Sequence, residues 1–180
     1  GGQNPPLIKS KDLVNWTFVG NFLKRELPDV AIGEDISCPN FFPLGDKQML
    51  LCISHQFGCR YYLGDWDAKA EQFVPETHGR MNWKRPGQSI YNPVYRDFFA
   101  PESLLTPDGR RVMWAWLATL DEAINQRTIQ FLPRELSLSE SGGLRFRPLR
   151  ELESLRYSAV TLNDLEVTPP KWQNGKMITS

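Results

Sequence analysis

The sequence predicts an all-β fold, on three observations: short strand-like runs rich in β-branched and aromatic residues, turn signals between them at fairly even spacing, and no sustained helical periodicity. Residues 41–44 and 49–53 flank Gly45-Asp46-Lys47, which reads as a hairpin. Residues 60–64 form the next strand, followed by a polar stretch and then a strand at 72–74. Residues 103–105 and 111–117 flank Thr106-Pro107-Asp108-Gly109, where the proline presets φ and the glycine supplies the left-handed position. Residues 128–132 are expected to pair with the segment near 136–138, and Glu140-Ser141-Gly142-Gly143 turns the chain back into 144–146. Only residues 151–156 read as a helical turn. The stretch 82–95, with Pro86, Gly87 and Pro93, reads as a long loop of the kind that often carries function. The tail from Thr168, with Pro169 and Pro170, reads as a linker or the entry to a further domain.

Repeated hairpins at this spacing fit a sandwich, a barrel or propeller blades. A blade is four strands in roughly 40–50 residues, so a propeller reading gives the chain three to four blades. Its 180 residues are 41% hydrophobic and 12% aromatic, enough for one compact domain with a real core. Lys plus Arg and Asp plus Glu both number 21, for zero formal charge. That balance gives no electrostatic ground for a nucleic acid or an acidic membrane as partner, and a neutral partner fits better. No run approaches the ~20 apolar residues of a membrane span. The N-terminal Gly-Gly-Gln-Asn-Pro-Pro has no signal-peptide pattern, although a signal upstream of it is compatible with the reading. Cys38, Cys52 and Cys59 lack metal-ligand spacing and read as reduced, buried thiols, which favours a reducing, cytoplasmic compartment.

Four segments carry a more specific signal. They are Ser10-Lys11-Asp12-Leu13-Val14-Asn15-Trp16 and Ser37-Cys38-Pro39-Asn40-Phe41-Phe42-Pro43-Leu44-Gly45. The third is Asp97-Phe98-Phe99-Ala100-Pro101-Glu102-Ser103 with the hairpin after it, and the fourth joins Leu132-Pro133-Arg134-Glu135-Leu136 to Pro148-Leu149-Arg150-Glu151-Leu152. In order and spacing over residues 10–156 they resemble the invertase, levanase and inulinase family, glycoside hydrolase family 32. The resemblance implies a partial five-bladed β-propeller over residues 1–157, with residues 158–180 as a linker or the start of a C-terminal β-sandwich. It also implies cleavage of β-fructofuranosidic bonds of the sucrose, inulin or levan type by a retaining, two-carboxylate mechanism. No cofactor and no metal are implied. The family's nucleophile motif, Asn-Asp-Pro in the first blade, and its Arg-Asp-Pro motif are absent upstream of residue 37, so the chain reads as a fragment. An incomplete propeller exposes strand edges and apolar faces, and self-association is expected of it.

The family's acid is a Glu directly before Cys, a place held here by Ser37. A hydroxyl cannot protonate a leaving oxygen at neutral pH as a raised-pKa carboxyl can. Asp35 and Glu34 are therefore the catalytic candidates. By strand alternation Asp35 shares a face with Ser37, whereas Glu34 points away but has the longer reach. A desolvated acid there should have a raised pKa. The alternative is that both acids only cap a solvated loop. Ser37, Cys38, Asp97 and Glu102 are the polar candidates for binding the sugar, with turn-capping or mere exposure as the plain alternative for the last two. Trp66, Trp83 and Tyr91 are candidates for stacking on a sugar face, whereas of Trp114 and Trp116 at least one is expected in the core. His55 and His78 stand apart from any nucleophile elbow, which argues against a hydrolytic triad. A degenerate propeller that at most binds fructosides is the alternative function, and an arabinan-cleaving furanosidase is a third.

Overall fold

A computed structural model describes residues 4–28, 30, 33–55, 57–81, 98–118, 128–161, 163–164, 171–173 and 176–178. The strands are β1 (Pro6–Ser10), β2 (Trp16–Asn21), β3 (Ser37–Leu44), β4 (Lys47–Ser54), β5 (Gly58–Asp67), β6 (Gln72–Arg80) and β7 (Phe99–Leu105). They continue with β8 (Arg111–Ala118), β9 (Thr128–Gln130), β10 (Arg134–Leu138), β11 (Leu144–Pro148), a 3₁₀ turn (Arg150–Leu155), β12 (Lys171–Gln173) and β13 (Lys176–Ile178). One sheet has the order β3-β4-β5-β6 and another β11-β10-β8-β7, with β9 also on β8; β1-β2 and β12-β13 are separate pairs. Strand order that follows chain order, hairpin by hairpin, is the construction of propeller blades.

The β3–β6 blade is an inner layer. Strand β4 reads Met-Leu-Leu-Cys-Ile without polar alternation because both of its faces are covered. Met49 and Leu51 point into a core with Phe42, Leu63, Phe98, Met113, Ala115 and Leu136, which joins this blade to the next. Leu50 and Cys52 point the other way, into a core with Phe22, Leu23, Ile36, Tyr62 and Phe73. Each fully buried apolar side chain of this kind contributes about 1.5–3 kcal/mol. The segment at Leu23 runs parallel along Phe73 of β6, with the Phe73 N–H donating to Phe22 O at 2.9 Å, so the outer edge of the blade is covered.

Two hairpins and the single helical turn form where the sequence places them. Gly45, at φ 62°, closes β3 onto β4, and Gly109, at φ 83°, closes β7 onto β8. The expected pairing of residues 128–132 with 136–138 does not occur. Gln130 lies opposite Trp116, and Arg134 lies opposite Met113, so β9 and β10 follow one another along β8 as an interrupted single strand. Pro133 has no N–H to give to the ladder and makes the break. Among the described residues these two sheets and the β1-β2 pair make up the partial propeller. The expected loop from 82 onward lies outside the described residues. The tail after 170 contains the short β12-β13 pair.

Candidate active site

The strand ends at Ser37, Ser54, Gly58 and Arg80 lie at one end of the blade, as the antiparallel register requires. There the segment before β3 meets the β4–β5 turn, and Asp35 joins the two. The Ser37 hydroxyl donates to Asp35 Oδ2 at 2.6 Å, which places both side chains on one face, as period-two alternation predicts. The His55 backbone N–H donates to Asp35 Oδ1 at 2.8 Å, and His55 Nδ1 stands 2.6 Å from Oδ2. The Asp35 side chain is 13% exposed and the His55 side chain 63%. Burial pushes the Asp35 carboxyl up, but the hydrogen bonds from Ser37 and His55 outweigh it and hold the pKa at about 2. The expected raised pKa is thus reversed in sign, because desolvation is only one of the forces on this group. At neutral pH Asp35 is a carboxylate.

Glu34 turns inward, as expected from its parity, and is fully buried. The register sets Arg60 of β5 opposite Arg80 of β6, which brings two guanidinium groups together. Glu34 answers them: Arg80 Nη1 and Nη2 donate to its Oε1 and Oε2 at 2.5 and 2.7 Å, and Arg60 Nη1 stands 3.0 Å from Oε1. The Arg60 guanidinium lies 4.4 Å over the Tyr62 ring and that of Arg80 lies 4.7 Å over Phe57. A carboxylate committed to two guanidinium groups in the interior is part of the frame of this corner.

The first strands of the two blades are shaped alike. Cys38-Pro39 together oppose one residue of β4, and Ala100-Pro101 together oppose one residue of β8. The residue before each proline has positive φ, 47° at Cys38 and 46° at Ala100. The next residues, Asn40 and Glu102, meet: Asn40 Nδ2 donates to Glu102 Oε2 at 3.0 Å, and Ser103 Oγ donates to Asn40 Oδ1 at 2.6 Å. Glu102 also borders a groove of about 480 Å³ with Ala100, Trp114, Trp116, Ile129 and Gln130. Neither Trp114 nor Trp116 is in the core, contrary to expectation. Met113 and Ala115 are buried instead, so the alternation places both tryptophans on the groove face.

Ser37, Asp35, Glu34 and Cys38 are therefore gathered at one corner, with Glu102 across the bulged strands. Trp66 does not join them. It stands toward the far end of β5 and packs on Phe41 and Phe22, with ring centroids at 5.9 and 6.4 Å. Its neighbours Asp65 and Asp67 pair with Lys47 and Lys24 at 3.1 and 2.7 Å, as residues of a solvated turn do. Asp97, Trp83 and Tyr91 lie outside the described residues. Cys52 and Cys59 are buried, but Cys38 is exposed, because the bulge turns it outward. The residue that sequence reasoning missed is His55. No local signal marks it, since the turn after β4 brings it to Asp35 from 20 positions away. Among the described residues no cluster of His, Cys, Asp or Glu is arranged to hold a metal ion.

Residues 4–148 match the family described as Glycosyl hydrolases family 32 N-terminal domain. The chain belongs to glycosyl hydrolase family 32. Its family 32 relatives include a sucrose-6-phosphate hydrolase of Salmonella typhimurium, 31% identical over 85% of this chain and 34% of the relative. Another is a raffinose invertase of Escherichia coli, 38% identical over 89% of the chain and 34% of the relative. The chain spans about a third of the length of these curated relatives. Among solved structures, the sucrose-6-phosphate hydrolase of Lactobacillus gasseri superposes with a TM-score of 0.65, at 19% identity, over 92% of this chain and 35% of that one. A family 32 hydrolase of Bifidobacterium adolescentis superposes with a TM-score of 0.59, at 17% identity, over 84% of this chain and 25% of that one. At those identities the likeness is one of fold, and the partial family 32 propeller is the fold of this chain.

Proposed function

We propose that the longer protein of which this chain forms a part hydrolyses β-fructofuranosidic bonds, with sucrose or a phosphorylated sucrose as the first substrate to try and inulin and levan as further candidates. The observation that carries the reading is the corner of Asp35, Ser37 and His55, a polar, partly exposed cluster placed at the Cys38-Pro39 bulge of a family 32 blade. Cleavage proceeds with retention, through a fructosyl ester on a carboxylate supplied by the first blade. Asp35 holds negative charge at the corner, and Glu34 fixes the frame behind it. Ser37, Cys38 and Glu102 contact the sugar, and Asp97 and Trp83 remain binding candidates on sequence grounds. The propeller ends near residue 157, and the residues after it lead toward a further domain.

The experiment is fructose release by the longer protein from sucrose, sucrose 6-phosphate, inulin and levan. Release from any of the four supports the reading. Activity confined to arabinosides moves the assignment to arabinan-cleaving furanosidases. Ser37 in place of the family's Glu favours a second reading, a propeller that binds fructosides without cleaving them. Saturable fructoside binding with no fructose release would select it.

A further inference from the structure

The end of the blades away from the Asp35 corner carries a second set of charges. Strand β3 runs from Ser37 at that corner to the Gly45 turn, roughly 20 Å away at ~3.3 Å per residue. Between the Gly45 and Gly109 turns lies a groove of about 500 Å³ with Leu44, Leu105 and Leu138 as apolar walls. Its charged groups among the described residues are Arg110, Arg111, Glu135 and Arg147. Arg110 is committed elsewhere: its Nε, Nη1 and Nη2 reach Asp108, Glu135 and Glu151 at 2.8, 2.7 and 2.6 Å. Arg147 stands opposite Glu135 in the β10–β11 ladder, but Glu135 turns to Arg110. Arg147 is exposed and makes no ion pair among the described residues. Arg111 is half-buried, and its guanidinium is fixed 4.2 Å over the Phe42 ring. Its Nε is buried and makes no hydrogen bond. Burial pulls its pKa below the ordinary value, and no neighbouring anion offsets that pull. The charge of Arg111 is therefore not answered within the fold, and the side chain borders the groove.

We infer that this groove is a binding site for a phosphomonoester, a small molecule that joins a phosphate group to a neutral body. Two unanswered guanidinium groups match the charge of a phosphate monoester, about −1.5 to −2 at neutral pH. A carboxylate, with a single charge, would answer only one of them. The planar fork of each arginine suits phosphate oxygens, which accept two hydrogen bonds side by side. The groove is larger than a bare ion needs, and its leucine walls suit the neutral part of the ligand. The site is built from the β3–β6 and β7–β11 blades alone and does not depend on the fructosidase reading.

The test titrates the longer protein with phenyl phosphate, inorganic phosphate and benzoate by calorimetry, in a low-salt buffer free of phosphate. Phenyl phosphate should bind saturably and tighter than the other two, and added salt should weaken it. Arg147→Gln, at an exposed position outside the core, should weaken phenyl phosphate roughly tenfold. Arg111→Gln should weaken it at least as much, and Arg111→Lys, which keeps the charge but loses the fork, should recover part of the loss. Arg145→Gln, on the same strand but outside the groove, should leave the affinity unchanged. Absence of saturable phenyl phosphate binding, or benzoate binding equally well, would overturn the assignment. So would phenyl phosphate binding that Arg147→Gln leaves unaltered, or that Arg145→Gln weakens to the same extent.

Discussion

Asn40 and Glu102 tie the two blades together at their edge strands. Each follows an X-Pro bulge with nearly the same positive φ, and the Asn40 amide donates to the Glu102 carboxylate at 3.0 Å while its carbonyl accepts from Ser103. The bulge is what points both side chains at one another, since an unbroken ladder would move each by one residue to the opposite face. Asn40→Ala and Glu102→Ala should each cost about 0.5–1.5 kcal/mol. The double variant should cost measurably less than the sum of the two in urea unfolding. Strict additivity would mean that the contact carries no stability.

Glu34 predicts a far larger effect. Glu34→Gln leaves Arg60, fully buried, beside Arg80 with no anion between them. Breaking a buried pair from one side typically costs about 3–5 kcal/mol, and urea midpoints read it. A loss below about 1 kcal/mol would show that water reaches the guanidinium pair.

Asp35 sets a pH dependence of stability. Its folded pKa of about 2 lies below the ordinary carboxylate value, so its contribution is fully present above that ordinary value and is lost as pH falls through the folded one. The unfolding midpoint of the unaltered chain should therefore approach that of Asp35→Asn between about pH 5 and pH 2. Parallel midpoints across that window would show that Ser37 and His55 do not hold the carboxylate.

Two glycines separate crowding from backbone strain. A Cβ at Gly64 would stand 2.1 Å from the Val74 carbonyl oxygen, at the irregularity where β5 crosses β6. A Cβ at Gly109 meets nothing within 4 Å, but the residue sits at φ 83°. Gly109→Ala should cost about 1 kcal/mol from conformation alone. Gly64→Ala should cost more than twice as much, because backbone must move. Thermal melts of the two variants check the order, and equal losses would contradict it.

The residues that were legible in the sequence were those whose placement depends on local pattern. The Gly45 and Gly109 hairpins follow from turn chemistry, and the double burial of β4 from its unbroken apolar run. The shared face of Asp35 and Ser37 follows from period two, because the bulge begins only at Cys38. Positive φ at Cys38 and Ala100 was not legible, since neither residue favours it and only the packed strand edge imposes it. The reversal at Asp35 came from the Ser37 hydroxyl together with His55, a partner supplied by tertiary structure. Trp114 and Trp116 invited a core reading by their alternation in a strand, yet the other parity, Met113 and Ala115, fills the gap between blades.

The most direct test of the fructosidase reading is incubation of the longer protein with sucrose in dilute methanol, with the products separated and identified by NMR. Retaining cleavage through a fructosyl ester predicts glucose and fructose together with methyl β-fructofuranoside, formed when methanol competes with water for the intermediate. Methyl α-fructofuranoside would contradict retention. Sucrose, sucrose 6-phosphate, inulin and levan all left intact would contradict the reading itself.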